Sequence, residues 1–171
     1  MADSLFPRIL VPSDFSACSE EAFRVATHLA RQFGSELILL HVVDTKSLGV
    51  LNRLGLALPS EEKAQLRKLR HQARLLTRRI IGSVALKDLT VKRFIAEGAP
   101  FAEIARFVRS EKISLVVMGS YGGSSGGVDK IFFGSTAEKV VRTAGCPVLT
   151  VPLTARPVKS AGGVGSKKEA S

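Results

Sequence analysis

The chain is short of cysteine and has no long apolar run, and each shortage excludes a class of protein. Its two cysteines, Cys18 and Cys146, lie far apart among 171 residues, which excludes a disulfide-stapled secreted module and a paired-cysteine metal site. No apolar run reaches the roughly 18 residues that span a membrane, so membrane insertion is not expected. The N-terminus lacks a charged segment followed by an apolar stretch, which predicts a cytoplasmic protein.

The composition is that of an ordinary globular protein with an unusual charge. Hydrophobic residues make up 45% and charged residues 23%, which argues against global disorder, collagen and coiled coil. The length suits one domain with a substantial core. Lys and Arg number 25 against 15 Asp and Glu, for a net charge of +10. This excess makes nucleic acid, nucleotides or an anionic membrane surface plausible partners.

Apolar runs and helical spacings alternate along the chain. The continuous apolar runs predict five strands, at 8–12, 36–43, 90–96, 114–118 and 148–151. The predicted helices follow N-cap residues near Ser16, Ser60 and Ser135, with a short helix after Gly98. This alternation predicts an α/β fold, a single doubly wound domain over 1–154 with a five-stranded parallel sheet and helices on both faces. The composition of residues 155–171, rich in Lys, Gly, Ser and Ala, predicts a disordered basic tail.

Two strand ends carry residues suited to an anionic ligand. Ligands in such sheets bind at the carboxyl ends of the strands, where strand one ends in Pro12-Ser13-Asp14. Strand four leads into 119–127, in which five of nine residues are glycine, and then to Gly134-Ser135-Thr136 at a helix start. Exposed backbone N–H groups, the helix dipole and two hydroxyls suit a polyphosphate, although a merely flexible connection is the alternative. Neither a Walker loop nor a dinucleotide-type glycine motif is present.

No catalytic or metal-binding residues are assigned, and an enzyme is not expected. Residues 122–126 match G-x-S-x-G, but the last histidine, His71, precedes that serine, which argues against a hydrolase. Asp129 is the nearest acid in the loop and Lys130 a candidate phosphate contact. His41 lies in an apolar strand and is interpreted as a hydrogen-bonded core residue. Cys18, near a helix start, is interpreted as an ordinary thiol.

Six segments together resemble the universal stress protein family. They are Ile9–Ser16, Leu37–Val43, Glu97–Pro100, Leu115–Ser120, Gly134–Arg142 and Cys146–Pro152. The resemblance covers about 7–152 and implies a five-stranded parallel sheet of the adenine nucleotide alpha-hydrolase type. It also implies a homodimer, which in this family often forms through the last strands. Some members bind ATP and others do not.

The resemblance implies a nucleotide site. ATP-binding members carry G-x2-G-x9-G-[ST] after strand four, which Gly119, Gly122, Gly134 and Ser135 match with two extra residues in the longer gap. Asp14 matches the position that meets ribose or adenine, and its alternative role is a helix N-cap. The implied cofactor is ATP, with Mg²⁺ as a bridge between phosphates. The predicted nucleotide-binding residues are Pro12, Ser13, Asp14, Val42, Met118, Gly119, Gly122, Gly134, Ser135 and Thr136.

Three functional hypotheses remain open at this point. The first is an ATP-binding stress-response or signalling module, and the alternative is a dimeric interaction module of the same family that binds no nucleotide. The third is a nucleic-acid-associated factor, because residues 61–81 carry seven cations against two acids and the tail adds more. No nucleic-acid motif supports the third, and only Tyr121 and scattered phenylalanines are available to stack on bases.

Overall fold

Five parallel strands form the centre of the computed structural model, which describes residues 4–46, 59–83, 88–121 and 133–153. In chain order the elements are β1 (Arg8–Pro12), α1 (Ala17–Phe33), β2 (Glu36–Asp44), α2 (Pro59–Gly82), β3 (Val91–Gly98), α3 (Pro100–Ser110), β4 (Leu115–Gly119), α4 (Ser135–Thr143) and β5 (Val148–Val151). The predicted fold class is confirmed. Within the described ranges, no helix is long and apolar enough to cross a membrane. Gly122, Asp129, Lys130 and the predicted tail at 155–171 lie outside the described residues.

The central strands are apolar throughout because helices cover both faces of the sheet. The strand order is β3-β2-β1-β4-β5, with every pair parallel. Along β1, Ile9 and Val11 pack with the apolar side of α1, whereas Leu10 packs with residues of α3 and α4. Alternate residues of β1 therefore belong to two separate hydrophobic cores. Because both faces of the strand are buried, its sequence does not alternate between apolar and polar residues.

The two edge strands have different surfaces. On β3, Lys92 and Arg93 are both exposed, and Lys92 Nζ lies 2.5 Å from a Glu36 carboxylate oxygen. On β5, Leu149 is exposed to 39%. The predicted start and end of β3, 90–96, differ from the observed Val91–Gly98 because an edge strand with one wet side lacks a continuous apolar run.

Helix α1 follows its predicted signals at both ends. Ser16 is the N-cap, and its Oγ accepts a hydrogen bond from the Ser19 N–H at 3.2 Å. Gly34 ends the helix in a left-handed conformation with φ of 63°, and its N–H donates to the Ala30 carbonyl. These caps place the N-terminus of α1 directly after the end of β1.

Candidate functional site

A cavity of about 300 Å³ lies where the carboxyl ends of β1, β2 and β4 meet the N-terminus of α4. Parallel strands with helical crossovers form such a crevice, as the sequence analysis expected. Gly122, the tenth predicted residue, lies outside the described part of the chain. Nine of the ten predicted residues line the cavity: Pro12, Ser13, Asp14, Val42, Met118, Gly119, Gly134, Ser135 and Thr136.

The loop after β1 supplies the polar side of the cavity. Ser13 is buried, its N–H donates to the Leu40 carbonyl at 2.9 Å, and its Oγ lies 3.0 Å from the Ser19 Oγ. Asp14 Oδ1 accepts hydrogen bonds from the Ser16 N–H at 3.1 Å and from the Ser16 hydroxyl at 2.6 Å. This is an Asx-type turn, so the N-cap alternative for Asp14 is wrong: Ser16 is the cap.

His41 and Phe15 hold this loop in a constrained shape. Phe15 has a φ of 64°, a left-handed conformation that is uncommon for a residue with a bulky side chain. Its ring stacks on the His41 imidazole, with centroids 4.2 Å apart. His41 Nδ1 lies 2.8 Å from the Ser13 carbonyl oxygen, which only accepts, so Nδ1 carries the proton and donates. His41 therefore fixes the turn next to Asp14 through the predicted hydrogen bond, but its side chain is half-buried and not part of the core.

Desolvation makes His41 a source of acid sensitivity. Burial lowers the pKa of His41, and the Ser13 carbonyl and the Asp14 charge oppose that shift only in part. The folded state then binds fewer protons than the unfolded state. The contribution of neutral His41 to stability is therefore complete above the unfolded pKa of about 6.5 and is lost as pH falls below it.

Between pH 7 and 5, we expect urea denaturation of His41→Asn to show a shallower loss of stability than wild type. The difference in slope is at most about 1.4 kcal/mol per pH unit, the limit for one proton. Identical slopes would contradict this assignment, because asparagine keeps a donor near Nδ1 but does not titrate.

The start of α4 forms the anion-binding end of the cavity. Gly134 is the N-cap residue, and no side chain caps the helix. The next three residues, Ser135, Thr136 and Ala137, line the cavity with the backbone N–H groups of the first turn. The Gly134 N–H donates to the Ser120 carbonyl at 2.9 Å, which ties the helix start to the end of β4. The N–H donors and the positive end of the helix dipole favour a negatively charged group here.

The remaining wall is apolar and includes residues that sequence reasoning missed. Met118, only 5% exposed, is both a core residue and part of the wall, next to Val42 and Pro12. Pro100 follows the carboxyl end of β3, and Tyr121 follows that of β4. The rule that ligands bind at the carboxyl ends of strands was the signal that could have identified both residues. Ser19 reaches the cavity only through the tertiary fold. The residues missed are Ser19, Leu40, Pro100, Ile104, Tyr121 and Ala137.

The thiols and titratable groups lie mostly away from the cavity. Cys18 is buried, and its Sγ donates to the Val151 carbonyl at 3.1 Å, in agreement with an ordinary packed thiol. Burial raises the pKa of the Cys146 thiol. Within the part of the chain that the structure describes, no group of three His, Cys, Asp or Glu side chains comes together to hold a metal ion. The cavity thus combines an apolar slot, one carboxylate and a row of N–H donors, an arrangement suited to binding.

Comparison with known proteins gives the same fold over most of the chain. The family model described as "Universal stress protein family" matches residues 5–152. Universal stress protein MJ0531 of Methanocaldococcus jannaschii is 30% identical over 151 residues, covering 87% of this chain and 84% of that protein. Universal stress protein YxiE of Bacillus subtilis is 29% identical, covering 86% and 99%. The solved structure of MJ0577, also from M. jannaschii, is 28% identical and superposes with a TM-score of 0.73 over 88% of this chain and 98% of that one. Because the match runs from before β1 to beyond β5 in sequence and in structure, the chain belongs to the universal stress protein family.

Proposed function

We propose that the cavity binds an adenine nucleotide, with ATP as the primary ligand, and that the protein acts as a stress-response or signalling module. The observation that carries the proposal is the convergence of three kinds of group on one cavity of about 300 Å³. An apolar slot, a carboxylate and an uncapped helix N-terminus correspond to the base, the ribose and the phosphates. That volume is at the lower end of the range for small-molecule sites, roughly 300–1,000 Å³.

Each part of the ligand has a matching set of residues. Pro12, Val42 and Met118 offer apolar contact to a planar base. Asp14 accepts from a ribose hydroxyl, a role that acidic residues also play in dinucleotide-binding folds. The first turn of α4 donates N–H groups to phosphate oxygens, with hydroxyls from Ser135 and Thr136.

The number of carboxylates in the cavity indicates how Mg²⁺ would be held. Among the described residues that line the cavity, Asp14 is the one carboxylate, and we assign it to the ribose. Mg²⁺ keeps several waters and is commonly held by substrate phosphates with one or two carboxylates, so the phosphates would hold it here. Bound Mg²⁺ would neutralise phosphate charge. We place no general base beside the phosphates and propose binding without catalysis.

Two proteins of the same fold have a nucleotide bound. One is a universal stress protein in complex with cAMP, 20% identical with a TM-score of 0.54. The other is an Arabidopsis thaliana family protein with AMP bound, 18% identical with a TM-score of 0.59. At these identities the likeness establishes the fold alone, so the choice of nucleotide rests on the residues of this chain.

Titration calorimetry tests the proposed function directly. We expect ATP to give saturable heat and to bind more tightly than AMP, because the α4 N-terminus gains from additional phosphate charge. GTP serves as the control for the base. No saturation at millimolar ATP would overturn the proposal and favour the alternative, an interaction module that binds no nucleotide.

We further propose that the protein forms a homodimer through the edge of β5. Leu149 on this strand, Leu153 after it and Val141 on α4 are large apolar side chains with exposures of 39%, 43% and 52%. An open strand edge with apolar neighbours favours pairing with a second copy. Leu75 on α2 is also an exposed leucine, and α2 covers β2 and β3, away from the β5 edge. It therefore serves as the control position for Leu149.

Light scattering after gel filtration tests the dimer. We expect wild type at twice the chain mass of 18.3 kDa and Leu149→Lys at the monomer mass, because a buried lysine without a partner is costly. Leu75→Lys is expected to remain dimeric. A wild-type monomer, or an equal effect of both substitutions, would contradict the β5 interface.

A further inference from the structure

One exposed flank of α2 carries a straight row of cations. Ala73, Thr77 and Ile80 are buried on the side of the helix that packs against the sheet, and the row lies about 100° around the helix from them. At 3.6 residues per turn, four cations fall within a sector of about 60° and extend along about 22 Å of helix. All four are exposed, and we call them the α2 stripe: Lys63, Arg67, Arg74 and Arg78.

Few acids lie near the α2 stripe along the chain. Residues 63–82 contain seven cations and no Asp or Glu, and Glu61 and Glu62 precede Lys63. Arg70 pairs with Glu97 at 3.0 Å and Arg79 with Glu20 at 3.9 Å, but both lie outside the stripe. Among the residues that the structure describes, no carboxylate oxygen lies within 4.0 Å of the four stripe side chains. By contrast Arg24, Arg106 and Arg142, on other helices, each pair with a glutamate of their own helix.

We propose that the α2 stripe binds the phosphate backbone of double-stranded nucleic acid without reading its sequence. Three of the four cations are arginine, whose planar guanidinium matches phosphate oxygens in two-point contacts. A rigid duplex presents dense negative charge along a line, which complements a straight row of four positive charges. This surface lies on α2, whereas the nucleotide cavity lies at the strand ends, so the proposal does not rest on the proposed function.

The chemistry of the stripe favours a duplex over other polyanions. Proteins that bind single strands use aromatic side chains as stacking platforms, and residues 63–82 contain no Phe, Tyr or Trp. A helix that lies in a membrane surface turns a broad apolar face to the lipid, but α2 turns its apolar face to the sheet. Two neighbouring leucines of α2, Leu75 and Leu76, are exposed beside the stripe, a patch much narrower than such a face. Backbone phosphate contact therefore accounts for the surface best.

Fluorescence anisotropy with a labelled 20-base-pair DNA duplex of mixed sequence tests the proposal. At 50 mM salt, we expect saturable binding that weakens steeply by 200 mM. The triple variant Arg67→Gln, Arg74→Gln, Arg78→Gln is expected to bind at least tenfold more weakly. Its slope of log K against log salt should be shallower by about 2 to 3, since each lost phosphate contact removes about 0.9.

A control variant of equal charge separates the stripe from general basicity. Arg24→Gln, Arg106→Gln, Arg142→Gln removes the same charge from ion-paired positions and is expected to bind within about twofold of wild type. Replacing the three stripe arginines by lysine should retain most of the affinity. An equal loss in both glutamine variants, no loss in the stripe variant, or preferential binding to phosphatidylserine vesicles that competes with DNA would each overturn the proposal.

Discussion

Replacement of Gly119 by alanine is expected to lower the free energy of unfolding by about 1–3 kcal/mol, and replacement by valine by more. Gly119 ends β4 directly beneath the first turn of α1. An added Cβ would lie 2.9 Å from the Cys18 Sγ and 3.1 Å from the Cys18 carbonyl carbon. Backbone cannot swing aside as a flexible side chain can, so α1 must shift from the sheet. The glycine is required here by the close approach of two elements.

Urea denaturation measures this effect, and a second glycine provides the control. Gly82, at the end of α2, has no atom within 4 Å of an added Cβ, so Gly82→Ala is expected to be neutral or slightly stabilising. The double variant Gly119→Ala, Cys18→Ala should recover only part of the loss, because the Cys18 backbone remains in place. A wild-type midpoint for Gly119→Ala would show that α1 and β4 are less tightly packed than the structure has them.

Asp14→Asn is expected to weaken ATP binding by about 10- to 100-fold, the value of one hydrogen bond to a charged group. Asparagine keeps an oxygen that can accept from the Ser16 N–H, so the turn is preserved while the charge is lost. The direction of the change in ATP affinity distinguishes two roles for the Asp14 carboxylate. If the carboxylate only repelled the phosphates, its removal would tighten binding; a ribose anchor predicts the reverse.

Asp44→Asn is the matched control for that experiment. Asp44 is the last residue of β2 in the same sheet, and its Oδ1 accepts from the Lys46 N–H at 3.0 Å, yet it does not line the cavity. Calorimetry should therefore find ATP affinity unchanged in Asp44→Asn. Equal weakening in both variants would remove Asp14 from the site, and if wild type itself binds no ATP the proposed function fails first.

Sequence reasoning predicted the strand ends that line the cavity because these residues follow apolar runs directly. The runs ending at Pro12 and Met118 indicate buried strands, and the parallel arrangement brings their carboxyl ends together. Ser135 and Thr136 were recognisable as the start of a helix. For these residues, the sequence pattern that predicts a strand end or a helix start also predicts a position beside the cavity.

The remaining features depend on contacts between distant segments. Ile104 reaches the cavity because α3 packs over the end of β2, and Ser19 because α1 begins beside Ser13. The sequence indicated both Asp14 and Ser16 as cap candidates; in the structure Ser16 is the cap, directly after the left-handed Phe15 that stacks on His41. Backbone geometry of this kind leaves no trace in composition or periodicity.

The unequal edges of the sheet limit how many copies can assemble. If two chains join along β5, the described strands leave the two β3 edges at the ends of the combined ten-stranded sheet. Those edges carry Lys92 and Arg93, and like charges resist further strand addition. Under the proposed β5 interface, further strand addition would be resisted and assembly would end at a closed pair.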